Sequence, residues 1–216
     1  MSEITAPNAP APSSTTTADP QAAVRRRPKP GERRVQILQA LAAMLEQPGA
    51  ERITTAALAR QLAVSEAALY RHFASKAQMF EALIEFIETS VFTLVNQIHE
   101  RADAAAGGGA QSAARIVSMV LQFGERNPGM VRVMVGDALV FEHERLQQRM
   151  NLFFDKLEAQ LRQCLRLPDG AAPTAQAQVR AGVLGDLIRG RLQLYARSGF
   201  RQPPTQHLDE TLALVL

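Results

Sequence analysis

Apolar positions recur at helical spacing almost continuously from residue 31 onward. Between Gly31 and Gln47 they fall at Val35, Leu38, Leu41, Ala42 and Leu45, which predicts an amphipathic first helix stopped by Pro48 and Gly49. Thr54 or Thr55 can then cap a short helix carrying Leu58 and Leu62. Ser65 can cap another through SEAALYRHF, with Leu69 and Phe73 one turn apart toward a small core. Ser75 caps a long helix from Lys76 to about Glu100. Taken at roughly 100° per residue, its stripe holds Phe80, Leu83, Ile84, Ile87, Val91, Leu94, Val95 and Ile98, with Phe86 displaced from it, near Met79.

The segment RADAAAGGGAQS predicts a flexible loop, and the helical pattern resumes through Ile116, Val117, Val120 and Phe123 until Asn127, Pro128 and Gly129 break it. On that helix Met119, Gln122 and Arg126 lie off the main stripe, at three- and four-residue spacing. A short helix from about Met130 to Ala138 is predicted next, followed by a long one from about His143 to Leu167 with Leu146, Met150, Phe153, Leu157, Leu161 and Cys164 on its buried face. After Pro168, Asp169 and Gly170 comes a helix from about Thr174 to Arg197, carrying Val183, Leu184, Leu187, Ile188, Leu192 and Tyr195. Gly182 and Gly185 interrupt it. Glycine weakens a helix by roughly 0.5 to 1 kcal/mol against alanine, so the pair predicts close approach of another helix, of this chain or of a second subunit, with Leu187 beside it. A terminal helix from His207 to Leu216 follows Pro203 and Pro204. The pattern contains no convincing strand, and the expected fold is all-α.

Composition sharpens this picture at the N-terminus. Residues 1–30 are rich in Ala, Pro, Ser and Thr and nearly devoid of large apolar side chains, so they cannot offset chain entropy by burial and are read as a disordered tail. Its end carries Arg25, Arg26, Arg27 and Lys29, and Arg33 and Arg34 follow. That run is either a solvated charge cluster or a basic arm for DNA phosphates or a minor groove. The formal net charge is +3 and the sequence pI about 9.5. The hydrophobic content of 46% is ample for packed cores. Cys164 is the single cysteine, which excludes an intramolecular disulfide and a cysteine zinc cluster and fits a reducing cytoplasm. No apolar run of about 18 residues predicts a membrane span.

Catalytic chemistry finds no support. His72, His99, His143 and His207 are scattered, no cluster has metal-ligand spacing, and no phosphate loop or GxSxG elbow occurs. Glu142, His143 and Glu144 are adjacent and point to different helix faces. The expectation is a non-enzyme without metal or cofactor. The stretch from Ile53 to Phe80 offers more, because two short helices joined by a tight turn have the form of a helix-turn-helix. A helix entering the major groove presents its first turn to base edges, and Ser65, Glu66, Ala67 and Ala68 form that turn. Tyr70, Arg71 and His72 at its end, Lys76 in the next helix, and Thr54 and Thr55 at the start of the preceding one are placed for phosphates. Phe73 is read as a core aromatic.

With YRHF followed by SKAQMF, this head resembles that of the TetR-type regulators. ERRVQILQALAAMLEQ, RITTAALARQLAVSEAALYRHFASKAQMF, LIEFIE, FGERNPG and LEAQLRQ resemble, more narrowly, the nucleoid occlusion factors of that superfamily, closely from about Gly31 to Arg166 and loosely beyond. The resemblance implies a TetR-like fold: a three-helix DNA-binding head over 31–75 and a helical dimerisation and partner-binding domain over 76–216, while the tail over residues 1–30, read from composition, has no counterpart in it. It implies a nucleoid-associated, cytoplasmic homodimer that binds a palindromic DNA site and the C-terminal tail of the division protein FtsZ, opposing septum assembly over the chromosome. It further implies that specific DNA favours the FtsZ-antagonising state. Two heads about 34 Å apart would enter successive major grooves.

Carried over by motif, Phe86 in LIEFIE and Arg126 with Asn127 in FGERNPG line the FtsZ groove between the fourth and fifth helices, with Met119 and Gln122 beside them. The chain departs from the family where Leu94 and Gln122 replace an expected basic and an expected small residue, and where Ala63 holds a turn position usually given to glycine. A ligand-responsive TetR-type repressor, with an apolar cavity in its C-terminal core, is the alternative. A helical enzyme or a structural adaptor is a third class.

Overall fold

The computed structural model describes residues 31–47, 52–105, 108–166 and 175–216. The predicted tail over residues 1–30 and the breakers at Pro48, Gly49, Pro168, Asp169 and Gly170 lie outside these. Among the described residues the chain forms α1 (Glu32–Leu45), α2 (Thr55–Gln61), α3 (Glu66–Tyr70), α4 (Lys76–Ala105), α5 (Gly109–Arg126), α6 (Pro128–Met134), a 3-10 turn (Asp137–Leu139), α7 (Glu144–Cys164), α8 (Ala175–Arg197) and α9 (Leu208–Val215). No helix among them is long and apolar enough to cross a membrane.

Local chemistry sets the boundaries of the short helices. Thr54, rather than Thr55, caps α2, its hydroxyl accepting from Ala57 N–H at 3.2 Å. Ser65 caps α3 by accepting from Ala68 N–H at 3.3 Å, and Ser75 accepts from Gln78 N–H at the start of α4. Between α2 and α3 the Ala63 N–H donates to the Arg60 carbonyl and the Val64 N–H to the Ala59 carbonyl, both at 3.0 Å. That pair of bonds is a Schellman closure, and it places Ala63 in the left-handed region at φ 52°.

α4 is the axis of the molecule. Phe80, Leu83, Ile84, Ile87, Val91 and Val95 are all buried, and α5 and α7 pack on them. Phe153 of α7 sits at the centre, edge-on to Phe92 at 5.5 Å and to Phe154 at 5.1 Å. α8 packs along α7, with Leu184, Ile188 and Leu192 buried and Leu192 beside Gly124 of α5, and α9 closes on α8. Head and body share one continuous core. α6 lies against α1, and a Cβ on Gly129 would come within 2.0 Å of the Ala42 carbonyl oxygen, so only glycine permits that approach.

Several expected positions differ. Val35 is exposed and Ile37 takes its place facing the core with Leu41 and Leu45, because the buried stripe of α1 begins two residues later. Met79 is buried, since the start of α4 is covered by the head on one side and the body on the other, whereas Leu94 is 39% exposed at the margin of the stripe. Val183 is exposed as well. The predicted loop after Glu100 is much shorter: α4 continues to Ala105 and α5 starts at Gly109. The helix expected from Met130 to Ala138 is split at Gly136, whose φ of 86° ends one turn and opens the 3-10 turn.

Candidate nucleic-acid interface and partner face

α2 and α3 are held together by polar side chains on their outer face. The Thr55 hydroxyl donates to Glu66 Oε2 at 2.6 Å, and the Tyr70 hydroxyl donates weakly to Thr55 Oγ1 at 3.5 Å. The Thr55 hydroxyl has a single proton, so in this arrangement it has none left for a phosphate. Thr54, Ser65, Glu66, Ala67, Tyr70 and Arg71 are exposed, while Ala68 and His72 are half-buried. The structure therefore brings Thr55, Glu66 and Tyr70 together and leaves Thr54, Ser65, Ala67 and Arg71 exposed on the same head.

Two charged residues outside the expected set shape this surface. Arg34 Nη1 donates to the His72 carbonyl at 2.5 Å while its guanidinium lies 4.2 Å above the Phe73 ring, which ties α1 to the end of the reading helix. Phe73 is buried, as its spacing requires. Glu142, in the turn before α7, pairs with the Lys76 ammonium, which also lies 5.6 Å from the centre of the Phe80 ring. Arg34 was visible in the sequence only as part of a basic run. Nothing in the spacing pointed to Glu142, 66 residues from its partner.

On the body, Phe86 is 49% exposed on α4, one residue before the fully buried Ile87. Arg126 and Gln122 are exposed, and Met119 and Asn127 are half-buried. Asn127 Nδ2 donates to the Phe123 carbonyl at 2.7 Å, fixing the corner between α5 and α6. Met119 and Gln122 line an open hollow of about 490 Å³ with Arg115 and Ser118 of α5 and with Asp209 and Leu212 of α9. Phe86 is not part of its wall. Met119 and Gln122 thus lie toward α9, and Phe86 is exposed on α4.

The glycines of α8 have different neighbours. A Cβ on Gly185 would sit 3.6 Å from Glu158 Oε2, so the close approach there comes from α7 of the same chain. Gly182 has nothing within 4 Å of that position. It lies on an outer face with Val179, Val183 and Leu194, which are exposed, and the half-buried Leu187.

Comparison with known proteins bears on both regions. Residues 37–83 match the family described as bacterial regulatory proteins, tetR family, and residues 111–216 match the SlmA-like family described as tetracyclin repressor-like, C-terminal domain. The nucleoid occlusion factor SlmA of Vibrio vulnificus is 46% identical over 192 residues, covering 87% of this chain and 95% of the relative. That of Photobacterium profundum is 48% identical over 187 residues, covering 84% and 92%. Among solved structures, the TetR family transcriptional regulator PfmR of Thermus thermophilus superposes with a TM-score of 0.64 at 17% identity over 84% of this chain and 94% of that one. A TetR-family regulator of Bordetella parapertussis gives 0.64 at 20% identity over 86% and 95%. These structural likenesses establish the all-helical TetR fold, and the sequence relatives establish more: the chain belongs to the SlmA family of nucleoid occlusion factors, within the TetR-type DNA-binding regulators.

Proposed function

We propose that this protein acts as a homodimer on the nucleoid, binding a palindromic DNA site through its two heads and capturing the C-terminal tail of FtsZ on its body, so that division-septum assembly is inhibited over the chromosome. The observation that carries this reading is the separation of two exposed faces on one rigid core. The outer face of α2 and α3 presents hydroxyl, carboxylate, phenol and guanidinium groups, and the body leaves an aromatic ring, Phe86, and a cation, Arg126, outside the core. Aromatic and arginine side chains are the usual anchors for a partly extended peptide.

The residues assigned to DNA are Thr54, Thr55, Ser65, Glu66, Ala67, Ala68, Tyr70, Arg71, His72 and Lys76. Arg71 is exposed for phosphate contact, Tyr70 and Lys76 reach phosphate only by leaving Thr55 and Glu142, and Thr54 and Ser65 combine capping with a place beside the duplex. The residues assigned to FtsZ are Phe86, Met119, Gln122, Arg126 and Asn127. The subunit contact is assigned to the outer face of α8, with Gly182 and Leu187 among its members and Gly185 supporting it from within. The repressor alternative calls for an apolar cavity in the body, and there the aromatic trio of Phe92, Phe153 and Phe154 fills the centre.

Sedimentation of FtsZ polymers with this protein, with and without a selected cognate duplex, tests the proposal. Loss of pelletable polymer that grows on adding the duplex is expected. Polymer unaffected under both conditions removes the FtsZ assignment and returns the protein to a role on DNA alone.

A further inference from the structure

Glu66 is the one charged side chain in the first turn of α3, exposed on a face that must approach a polyanion. A carboxylate accepts hydrogen bonds and donates none, and phosphate oxygens are likewise acceptors, so the DNA backbone offers Glu66 only repulsion. Base edges are different. In the major groove the donors are the exocyclic amines, cytosine N4 and adenine N6, whereas guanine O6 and N7 and thymine O4 accept. An acceptor-only side chain at this place can gain contact with those amines and with little else.

The carboxylate is also held in place. Thr55, on the first turn of α2, donates to Oε2 at 2.6 Å and is itself approached by the Tyr70 hydroxyl from the end of α3. Both helices of the head therefore brace one oxygen. Among the described residues Oε1 has no hydrogen-bond partner. Were Glu66 only a tie between the helices or a charge favouring the start of α3, its effect would be on stability and would not depend on DNA sequence.

The geometry points to Glu66 as a base-reading residue, with Oε1 accepting from the exocyclic amine of one cytosine or adenine in each half-site and Thr55 as the positioning residue that aims it. This rests on the reading of the head as a DNA interface. Thr55 thereby spends its hydroxyl proton on specificity, and affinity for the backbone comes from its neighbours.

The test uses the full-length protein and duplexes it selects from a pool with a randomised centre. Fluorescence anisotropy then measures affinity for the selected duplex, each single-pair variant of it and an unrelated duplex, for the wild type and for Glu66→Ala, Glu66→Gln and Thr55→Val. At one pair per half-site the wild type prefers the amine-bearing base by roughly tenfold. Whether that base is cytosine or adenine is read from the same series. Glu66→Ala loses the preference at that pair alone, and its affinity for the unrelated duplex is equal or higher because a charge repelling phosphate is gone. Glu66→Gln keeps an oxygen to accept from Thr55 and turns an amide N–H, a donor, toward the base, so the preference for the amine there is lost and a carbonyl base is favoured instead. Thr55→Val weakens the preference at the same pair with unchanged circular dichroism. Wild-type discrimination by Glu66→Ala at every pair overturns the assignment, as does a loss spread evenly over the site. A wild type that selects and binds no duplex at all sinks the DNA-interface reading itself, which is a distinct result.

Discussion

Lys76, at the first turn of α4, forms an ion pair with Glu142 in the turn before α7, so a head cation assigned to DNA is held by the body. The two functions compete for one ammonium. Phosphate contact by Lys76 requires release from Glu142, and Glu142→Gln makes that release unnecessary. DNA affinity of Glu142→Gln is expected to rise a few-fold, while Lys76→Ala weakens binding evenly across sequences and lowers the salt slope by about 1 per head. The two side chains keep only 25% and 10% of their surface in water, so each variant costs some stability, and circular dichroism establishes that each is folded before binding is measured. A salt titration checks this; an unchanged slope for Lys76→Ala shows that the lysine stays with the body.

The turn of the reading head carries measurable strain. Ala63 adopts φ 52°, is exposed, and has no packing to lose on substitution by glycine. The left-handed conformation costs an L-residue roughly 1 to 2 kcal/mol, part of which glycine returns through the greater entropy of its unfolded chain. Ala63→Gly is expected to stabilise by about 1 kcal/mol, a rise of roughly 2 to 4 °C in Tm for a protein of this size. A thermal melt that shifts downward rejects the strain.

Phe86 and Arg126 provide the sharpest test of the body. Both are exposed, so their removal leaves the core intact. Phe86→Ala and Arg126→Asp are each expected to weaken binding of an FtsZ tail peptide by tenfold or more, with circular dichroism unchanged. Because Met119 and Gln122 face α9, Gln122→Ala separates two peptide positions: a large loss puts the peptide over the α5 and α9 hollow, and a small one keeps it beside Phe86. Full binding by both Phe86→Ala and Arg126→Asp removes the groove assignment.

Local chemistry made much of the fold legible. The capping residues Thr54, Ser65 and Ser75, the α4 stripe from Phe80 to Val95 and the break at Asn127 all follow from hydrogen-bonding or periodicity rules that act within a few residues. Where a tertiary partner decides, the pattern was silent or misleading. Met79 is buried because two bodies meet at it, Gly129 is required by a carbonyl of α1 far off in sequence, and Lys76 is paired with Glu142 across the head and body junction. Periodicity set Phe86 apart from the core but said nothing about what it faces.

The outer face of α8 predicts the subunit contact. Val179, Val183 and Leu194 are exposed along one side, and Gly182 adds no bulk between them. A twofold contact uses the same patch on both subunits, so one substitution there buries two new charges in the interface. Burying an unpaired carboxylate costs about 3 kcal/mol or more, roughly a hundredfold or greater increase in the dimer dissociation constant. Val183→Glu is expected to sediment as a folded monomer and to bind a single half-site. A variant that remains dimeric at micromolar concentration places the interface elsewhere.

Cys164 and Tyr195 make stability fall at alkaline pH. Burial pushes the Cys164 thiol up to about 11, from an ordinary 9.0. His99 Nδ1 lies 4.0 Å from the sulfur, while its Nε2 meets Gln160 Oε1 at 2.9 Å. Tyr195 is raised in the same direction by burial, then by Glu125 and Glu46, and its hydroxyl donates to the Glu125 carbonyl. For an acid whose folded value is raised, the unfolded chain ionises first. The contribution is therefore complete below about pH 9 and is lost as pH climbs through 11. The denaturation midpoint is expected to hold level from about pH 7 to 8.5 and to decline by about pH 10.5, with a smaller decline in Cys164→Ala. Iodoacetamide gives an independent readout at about pH 8. A thiol at about 11 holds about one hundredth of the thiolate of one at 9, so native Cys164 should be alkylated about a hundredfold more slowly than in the unfolded chain. Equal rates in the two states place the sulfur in water.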